Sequence, residues 1–324
     1  MADPAALLEP ILDLHARIRA AVVDACSGKD SAGLQRVAAD GAGDTIYEID
    51  RVSEPVLIAG LVEMARDTPI HLVAEGLPGG SIPLPLGTNE ADCIWKLLVD
   101  PIDGTRGLMY QKRSGWILTG LAPNRGAATR LRDIVLAVQT EIPLVKQHLS
   151  DQLWAFRGGS VTARRHDRLS NRDDRLTLAP SSAPTIAHGF ASVVRFFPGN
   201  REILASIDDE LARVLAPAGP GKAASFEDQY ASSGGQLYEL MAGHDRFIAD
   251  LRPLIGAGLC CHPYDLCTAL IAEAAGVIVT TVDGSPLDAP FDVNPDVAWI
   301  GYANQTLRTA VEPVLRAALQ RRGL

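Results

Sequence analysis

The chain has 324 residues, and 30 Lys and Arg against 39 Asp and Glu give a formal net charge of −9. With 47% hydrophobic and 21% charged residues, the composition predicts a large hydrophobic core and excludes wholesale disorder. At this length we expect one large domain or two packed lobes. The acidic balance excludes general attraction to nucleic-acid polymers and anionic membranes, so a phosphate ligand would need a local cation or a helix N-terminus.

No stretch approaches the roughly 18 uninterrupted apolar residues that a membrane-spanning helix requires. The N-terminus lacks a basic region followed by an apolar run, so no secretory signal is predicted. The five cysteines include no CxxC pair, and the adjacent Cys260 and Cys261 are poorly spaced for a structural disulfide or a zinc site. We therefore expect reduced thiols in a cytoplasmic protein.

Helices and strands are predicted to alternate along the chain. Apolar residues at steps of four and three predict a first helix over residues 5–26. The elements that follow are strands 34–38 and 45–49, helix 52–66, strands 71–74, 94–99, 115–121, 134–139, 153–156 and 190–194, helices 200–215, 235–242 and 265–275, and strand 277–282. This mixture predicts an α/β (α+β) protein in which helices cover the sheets.

Two segments are predicted to lack regular structure. Residues 77–88 hold several Gly and Pro residues and predict a mobile loop. Residues 164–175 are dense in Arg, Asp, Ser and Asn and predict a solvated connector between two lobes. The lobes would comprise residues 1–163 and 164–324 and form one continuous two-lobed unit.

A group of acidic and small residues follows the clearest predicted strand, in the order Asp100-Pro-Ile-Asp103-Gly104-Thr105. Pro101 would turn the chain, and Asp103 is predicted to be the N-cap of a short helix. Both carboxylates would then converge beside the backbone N–H groups of Gly104 and Thr105, which favour an anion. Because carboxylates alone repel phosphate, the pattern predicts a hard divalent cation, Mg²⁺ or its substitute Mn²⁺.

Each of these residues also has an ordinary structural interpretation. The segment 100–105 taken alone is typical of a turn, and Thr105 of a capping hydroxyl. Asp265 precedes a predicted helix and Asp50 opens another, so both suit N-caps, while Glu75 at a strand end suits plain surface. Their joint presence favours a single site.

The joint pattern resembles the inositol monophosphatase family, which comprises Mg²⁺-dependent, lithium-sensitive sugar phosphatases. The first family motif, Asp-Pro-Ile/Leu-Asp-Gly-Thr/Ser after an apolar strand, matches residues 100–105 at every position. An upstream Asp in a Thr-x-x-x-x-Asp segment matches Thr45 to Asp50, and a Glu preceded by Val-Ala matches Glu75. The second motif resembles residues 264–277, with Tyr264 in place of the family's Trp.

The resemblance implies a layered αβαβα sandwich of the sugar-phosphatase type, commonly dimeric. Residues 1–163 would carry the metal and phosphate site, and residues 164–324 would complete it and form the substrate pocket. The first Mg²⁺ would be held by Glu75, Asp100 and the carbonyl of Ile102, and the second by Asp100, Asp103 and Asp265. Gly76 stands where a second acidic residue is often found, which weakens the case for a third metal.

The resemblance also implies the catalytic roles. Thr105, backed by Asp50, would orient the attacking water, and Glu75 would assist through its metal. Asp103, together with the amides of Gly104 and Thr105, would bind the phosphate. The predicted activity is a phosphoric monoester hydrolase with two or three Mg²⁺ per site that acts on a small polyol or sugar phosphate.

The substrate-binding positions are the least determined part of the pattern. Ser232 and Ser233 lie where the family places small residues beside the substrate, and Asp250 is the nearest candidate for a substrate-contacting Glu. An apparent insertion over residues 251–261 separates Asp250 from the second motif. Arg106 follows the first motif where smaller residues are common, and Arg106, Lys112 or Arg113 would suit a second phosphate.

Two kinds of alternative remain beside a polyol phosphatase, and a third is excluded. A bisphosphorylated nucleotide, fructose 1,6-bisphosphate or NADP would use the same metal site with a different pocket. A non-catalytic binding protein would retain the fold without turnover. A haloacid-dehalogenase-type phosphatase is excluded because it needs Asp-x-Asp, whereas Asp100 and Asp103 are separated by two residues.

Overall fold

The structure is a computed structural model that describes residues 3–28, 37–40, 45–256 and 258–324. Part of the first predicted strand, residues 34–36, lies outside the described residues. The α-helices in the described part are α1 (Leu8–Gly28), α2 (Asp50–Met64), α3 (Thr105–Met109), α4 (Arg201–Leu215), α5 (Ser233–Met241), α6 (Ala269–Ala275) and α7 (Gln305–Gln320).

The strands are β1 (Val37–Asp40), β2 (Thr45–Tyr47), β3 (Ile70–Ala74), β4 (Ser81–Leu84), β5 (Trp95–Asp103), β6 (Gly115–Pro123), β7 (Leu136–Ile142), β8 (Leu149–Phe156), β9 (Thr162–Asp167), β10 (Arg172–Arg175), β11 (Phe190–Val193), β12 (Asp245–Asp250), β13 (Ile278–Thr280) and β14 (Trp299–Tyr302). Within the described residues, eight strands form a large sheet in the order β10-β9-β8-β7-β6-β5-β3-β4. Four others form a smaller sheet in the order β11-β12-β14-β13, and β1 pairs with β2.

These elements stack as helices, large sheet, helices, small sheet and helices. Helices α1 and α2 cover one face of the large sheet, α5 and α6 lie between the sheets, and α4 and α7 cover the small sheet. Successive residues of β6 point to opposite faces, so Ile117 packs under α1 and α2 while Leu118 packs in the core between the sheets. The predicted αβαβα sandwich is confirmed.

Two local predictions are wrong. The segment predicted as a connector, residues 164–175, forms β9 and β10 at the edge of the large sheet, where Arg164 pairs with Arg175. Its charged side chains suit an exposed edge hairpin, which sequence composition alone does not distinguish from a loop. The segment predicted as a mobile loop contains β4, which pairs with β3.

The predicted boundary after residue 163 falls inside β9. The division of the chain into two lobes stays a prediction. Among the described residues, no helix combines the length and hydropathy needed to span a bilayer.

Candidate active site

Strand β5 continues through Asp100 to Asp103, and its pairing with β6 is irregular between these two residues. The prediction that Asp103 caps a helix is wrong, because the N-cap of α3 is Gly104, which has a left-handed φ of 86°. A Cβ at Gly104 would also lie 3.0 Å from the Cβ of Ser232. Glycine is therefore required here both for backbone conformation and for close approach of the two segments.

The start of α5 holds the carboxylate of Asp103. The Ser232 hydroxyl and the Gly234 backbone N–H donate to Asp103 Oδ2 over 2.7 and 2.6 Å. Burial raises the pKa of Asp103 to about 6, and these hydrogen bonds oppose the rise. The carboxylate from the large sheet is thus fixed by a helix that packs between the sheets.

Three carboxylates meet at this point, since ligand oxygens of Asp100, Asp103 and Asp265 lie within 4.8 Å of one another. Asp265 lies in a 3₁₀ turn, Pro263–Leu266, rather than at the start of α6, and its Oδ2 accepts from the His262 N–H at 2.6 Å. Burial and then the neighbouring carboxylates raise the pKa of Asp100, and the same causes raise the pKa of Asp265.

An oxygen-only donor set of this kind fits a hard divalent cation such as Mg²⁺ and does not fit zinc, which prefers nitrogen and sulfur ligands. Buried like charges are costly when they face each other without a counter-charge. Because Asp103 raises the pKa of both Asp100 and Asp265, and Asp265 raises that of Asp100, a cation between the three carboxylates would remove that cost. The residues present therefore fit the predicted metal.

Glu75 follows β3 and lies at the exposed side of the same cavity, outside the three-carboxylate cluster. Its charge contributes to the raised pKa of Asp100. The Tyr264 hydroxyl is a hydrogen-bond partner of Glu75, and burial raises the pKa of that phenol far above its ordinary value. Tyr264 therefore holds the Glu75 side chain in place.

Thr105 and Asp50 are in direct contact. The Thr105 hydroxyl lies 3.0 Å from Asp50 Oδ1 and 2.8 Å from the carbonyl oxygen of Ile102. The Tyr47 N–H donates to Asp50 Oδ2 at 2.8 Å and fixes the carboxylate. Since a threonine hydroxyl has one proton, it donates a hydrogen bond to only one of these two acceptors at a time.

Gln139, on β7, joins the start of α5, which binds the Asp103 carboxylate, to the segment that carries Asp265. Its side-chain N–H donates to the carbonyl oxygen of Gly234 at 2.8 Å, and its Oε1 accepts from the Thr268 hydroxyl at 2.9 Å. The side chain of Gln139 is completely buried. Sequence analysis missed this residue, because nothing near it in the chain distinguishes it from an ordinary strand position.

A second part of the cavity wall is aromatic and basic. It is lined by Arg106, Phe196, Phe197 and Arg252. The Arg252 guanidinium carbon lies 4.4 Å from the Phe196 ring centroid and 5.5 Å from that of Phe197, and Arg106 lies 4.9 Å from Phe197. Arg252 and the two phenylalanines were also missed, because their contacts join distant parts of the chain.

Two of the three predicted substrate residues line the cavity and the third does not. Ser232 and Ser233 line the cavity, although the Ser232 hydroxyl is already bound to Asp103 and that of Ser233 lies 3.4 Å from the Cys261 sulfur. Asp250 is fully buried, and its two oxygens accept from Arg252 Nε at 2.9 Å and Nη2 at 2.6 Å. It therefore contacts Arg252, which lines the cavity, rather than the cavity itself.

Solved structures with the same architecture cover nearly the whole chain. The extragenic suppressor protein SuhB from Bartonella henselae aligns with a TM-score of 0.66 and 16% identity over 96% of this chain and 98% of its own. An IMPase from Thermotoga maritima aligns with a TM-score of 0.62 and 15% identity over 97% of this chain and 98% of its own. Fructose-1,6-bisphosphatase from Leishmania major aligns with a TM-score of 0.71 and 14% identity over 97% of this chain and 94% of its own.

No protein-family model and no curated relative matches the sequence. At these low identities the structural likeness establishes the fold, and the resemblance to the inositol monophosphatase family is confirmed at that level. The chain has the sandwich fold that inositol monophosphatases share with fructose-1,6-bisphosphatases.

Proposed function

We propose that this chain is a Mg²⁺-dependent phosphomonoesterase that hydrolyses a small polyol or sugar phosphate. The observation that carries the proposal is the convergence of Asp100, Asp103 and Asp265 in one buried cluster. The fold likeness to the IMPase and the fructose-1,6-bisphosphatase supports it, because both are phosphatases by name. The sequence motif at residues 100–105 supports it independently.

Asp100, Asp103 and Asp265 would hold the metal, and Glu75 and the carbonyl of Ile102 would complete the ligand set. When bound, two or three Mg²⁺ ions would neutralise phosphate charge and lower the pKa of a water molecule, and Mn²⁺ is the expected substitute. The hydrogen bonds that Asp103 accepts from Ser232 and Gly234 hold its carboxylate in place before any ligand arrives.

Asp50 and Thr105 would act on the attacking water. When the Thr105 hydroxyl donates its hydrogen bond to Asp50, its oxygen can accept a hydrogen bond from a water molecule. The Ile102 carbonyl oxygen is then free to bind another group. Asp50 stabilises that arrangement, because a carboxylate accepts more strongly than a carbonyl. The pair would therefore orient the water for attack on phosphorus.

Gly104 and Thr105 would bind the phosphate through their backbone N–H groups. The first hydrogen bond of α3 runs from the Leu108 N–H to the Gly104 carbonyl, so the preceding amides are not used within the helix. Two such donors beside Asp103 favour a phosphate oxygen once a cation offsets the carboxylate charge.

The test is phosphate release from a panel of inositol, fructose, glycerol and nucleotide phosphates and NADP, with Mg²⁺ and with chelator. We expect Mg²⁺-dependent release and a loss of at least about 100-fold in kcat for Asp100→Asn, more than the 10- to 100-fold typical of residues that only support metal ligands. Asp209→Asn is the matched control, since Asp209 is exposed on α4.

Release that persists in chelator, or wild-type rates from Asp100→Asn, would refute the proposal. No release from any ester would favour the alternative of a binding protein that retains the fold. A homodimer, which rests on the resemblance, and a cytoplasmic location, which rests on the cysteine pattern, are further proposals.

A further inference from the structure

We propose that Arg252, together with Arg106, binds a second oxyanion of the substrate, a phosphate or a carboxylate, next to the metal cluster. The inference rests on the proposed function and narrows its substrate class. The substrate would be a small phosphate monoester that carries another negatively charged group on the same carbon skeleton.

Arg252 is held rigidly at the cavity wall. Its side chain is 3% exposed, and its Nε and Nη2 donate to the two oxygens of Asp250. Its Nη1 donates to the carbonyl oxygen of Leu259 at 2.8 Å. These three contacts fix the plane of the guanidinium before a ligand arrives, which reduces the entropy lost on binding.

The guanidinium retains unused donors. An arginine has five N–H groups, and three of those on Arg252 have protein acceptors. The other two have no acceptor within the residues that the structure describes. Because buried donors without partners are costly, a ligand oxygen at Arg252 would be stabilising, and two donors on one planar fork suit an oxyanion.

Arg106 adds a second guanidinium at the same ring. Its guanidinium carbon lies 4.9 Å from the Phe197 centroid, whereas that of Arg252 lies 5.5 Å from it. Arg106 immediately follows the proposed phosphate-binding residues of α3 and lines the same cavity. The aromatic contacts hold both positive groups against the wall rather than free in solvent.

The basic wall and the metal cluster are close together. The Arg252 side chain and the Asp265 carboxylate line the same cavity. The same cavity contains all three clustered carboxylates. A small molecule can therefore place one phosphate at the cluster and another anion at Arg252.

The experiment compares matched esters that differ by one anionic group. The pairs are fructose 1-phosphate with fructose 1,6-bisphosphate, and glycerol 3-phosphate with 3-phosphoglycerate, which separate a second phosphate from a carboxylate. We expect the wild type to favour one doubly anionic member at least about 10-fold in kcat/KM. Charged hydrogen bonds of this kind correspond to about 10- to 100-fold in affinity.

The variant is the double substitution Asp250→Asn with Arg252→Met. Removing Arg252 alone would leave Asp250 charged and buried, so both charges are removed together. We expect the ratio of kcat/KM between doubly and singly anionic esters to fall about 10- to 100-fold. The matched control is Asp151→Asn with Arg165→Met, another two-bond Arg–Asp pair, whose members do not line this cavity.

A ratio near one in the wild type for both ester pairs, or a ratio that the Asp250–Arg252 double variant leaves unchanged, would overturn the inference while leaving the phosphatase proposal intact. If no ester is hydrolysed, calorimetric titration of the same four compounds decides. Tighter binding of a doubly anionic compound that the double variant abolishes would support the oxyanion site without catalysis. Equal binding within each pair would overturn it.

Discussion

The molecule has two buried polar clusters beside the large sheet, one acidic and one neutral. In the first, Asp100, Asp103 and Asp265 bring like charges together, and each has a raised pKa. In the second, under α1, His15 Nδ1 lies 2.9 Å from the Thr140 hydroxyl and Nε2 lies 2.8 Å from the Thr119 hydroxyl. Burial, and then Arg19, lowers the pKa of His15 to about 3, so this cluster is neutral at pH 7.

The difference distinguishes polar groups whose burial stabilises the fold from polar groups that are buried in order to bind a ligand. The His15 cluster pairs neutral donors and acceptors and needs nothing from outside the protein. The acidic cluster is hydrogen-bonded but retains a charge imbalance that the described residues do not cancel. Proteins commonly accept such a loss of stability where a ligand must bind.

The largest expected effect is stabilisation of the acidic cluster by Mg²⁺. At pH 8, free Mg²⁺ at 100 times its dissociation constant should raise the free energy of unfolding by about 2.7 kcal/mol, because it binds the folded state alone. Urea denaturation with Mg²⁺ and with chelator measures the change. Asp265→Asn should reduce it strongly.

His15→Gln provides the contrast in the same measurement, and its gain from Mg²⁺ should equal that of the wild type. A wild type that gains no stability from Mg²⁺ would contradict the assignment of the acidic cluster as a metal site. An equal loss of the gain in both variants would mean that the two clusters are not independent.

A smaller effect is expected for Gln139→Leu, which removes the bridge between Gly234 and Thr268. The Mg²⁺ concentration for half-maximal activity should rise about 10- to 100-fold, as is typical for residues that position metal ligands. Gln139→Glu keeps an acceptor for Thr268 but loses the N–H that binds the Gly234 carbonyl. A fall in kcat with no change in Mg²⁺ dependence would show that Gln139 does not position the ligands.

The smallest effect is the pH dependence of the His15 cluster. Unfolded His15 takes up a proton below about pH 6.5, whereas the folded side chain stays neutral to about pH 3. Its contribution is therefore present above pH 6.5 and is lost as pH falls, by up to about 1.4 kcal/mol per pH unit. The wild type minus His15→Gln difference in unfolding free energy, followed from pH 7 to 6, measures it, and the expected loss over this interval is about 0.7 kcal/mol. A difference independent of pH would contradict the neutral assignment.

The sequence was most informative where chemistry and local structure coincide. Residues 100–105 combine a strand end, a turn and two carboxylates, so their position at the end of a strand was predictable from neighbouring residues alone. The left-handed Gly104 was not predicted as the cap of α3, because one reason for a glycine there is the nearby Ser232 side chain, far along the chain. The mixture of helices and strands predicted sheets covered by helices, whereas the order of the five layers was predicted from the family resemblance.

The aromatic and basic wall shows why the rest could not be predicted. Phe196 and Phe197 follow β11, while Arg252 follows β12, and only the parallel pairing of these strands brings the two segments together. Asp250 is a residue type that could bind a substrate, but in the structure its carboxylate accepts hydrogen bonds from Arg252. Composition predicts which groups are present, and topology decides which of them face the cavity.

The bonds from Ser232 and Gly234 to Asp103 have a consequence for synthesis on the ribosome. A nascent chain that has exposed only the large sheet carries Asp100 and Asp103 without the helix start that fixes them. The last carboxylate, Asp265, emerges later still. The three-carboxylate cluster is therefore complete only near the end of translation, and until then Asp100 and Asp103 lie at the end of β5 without the third carboxylate.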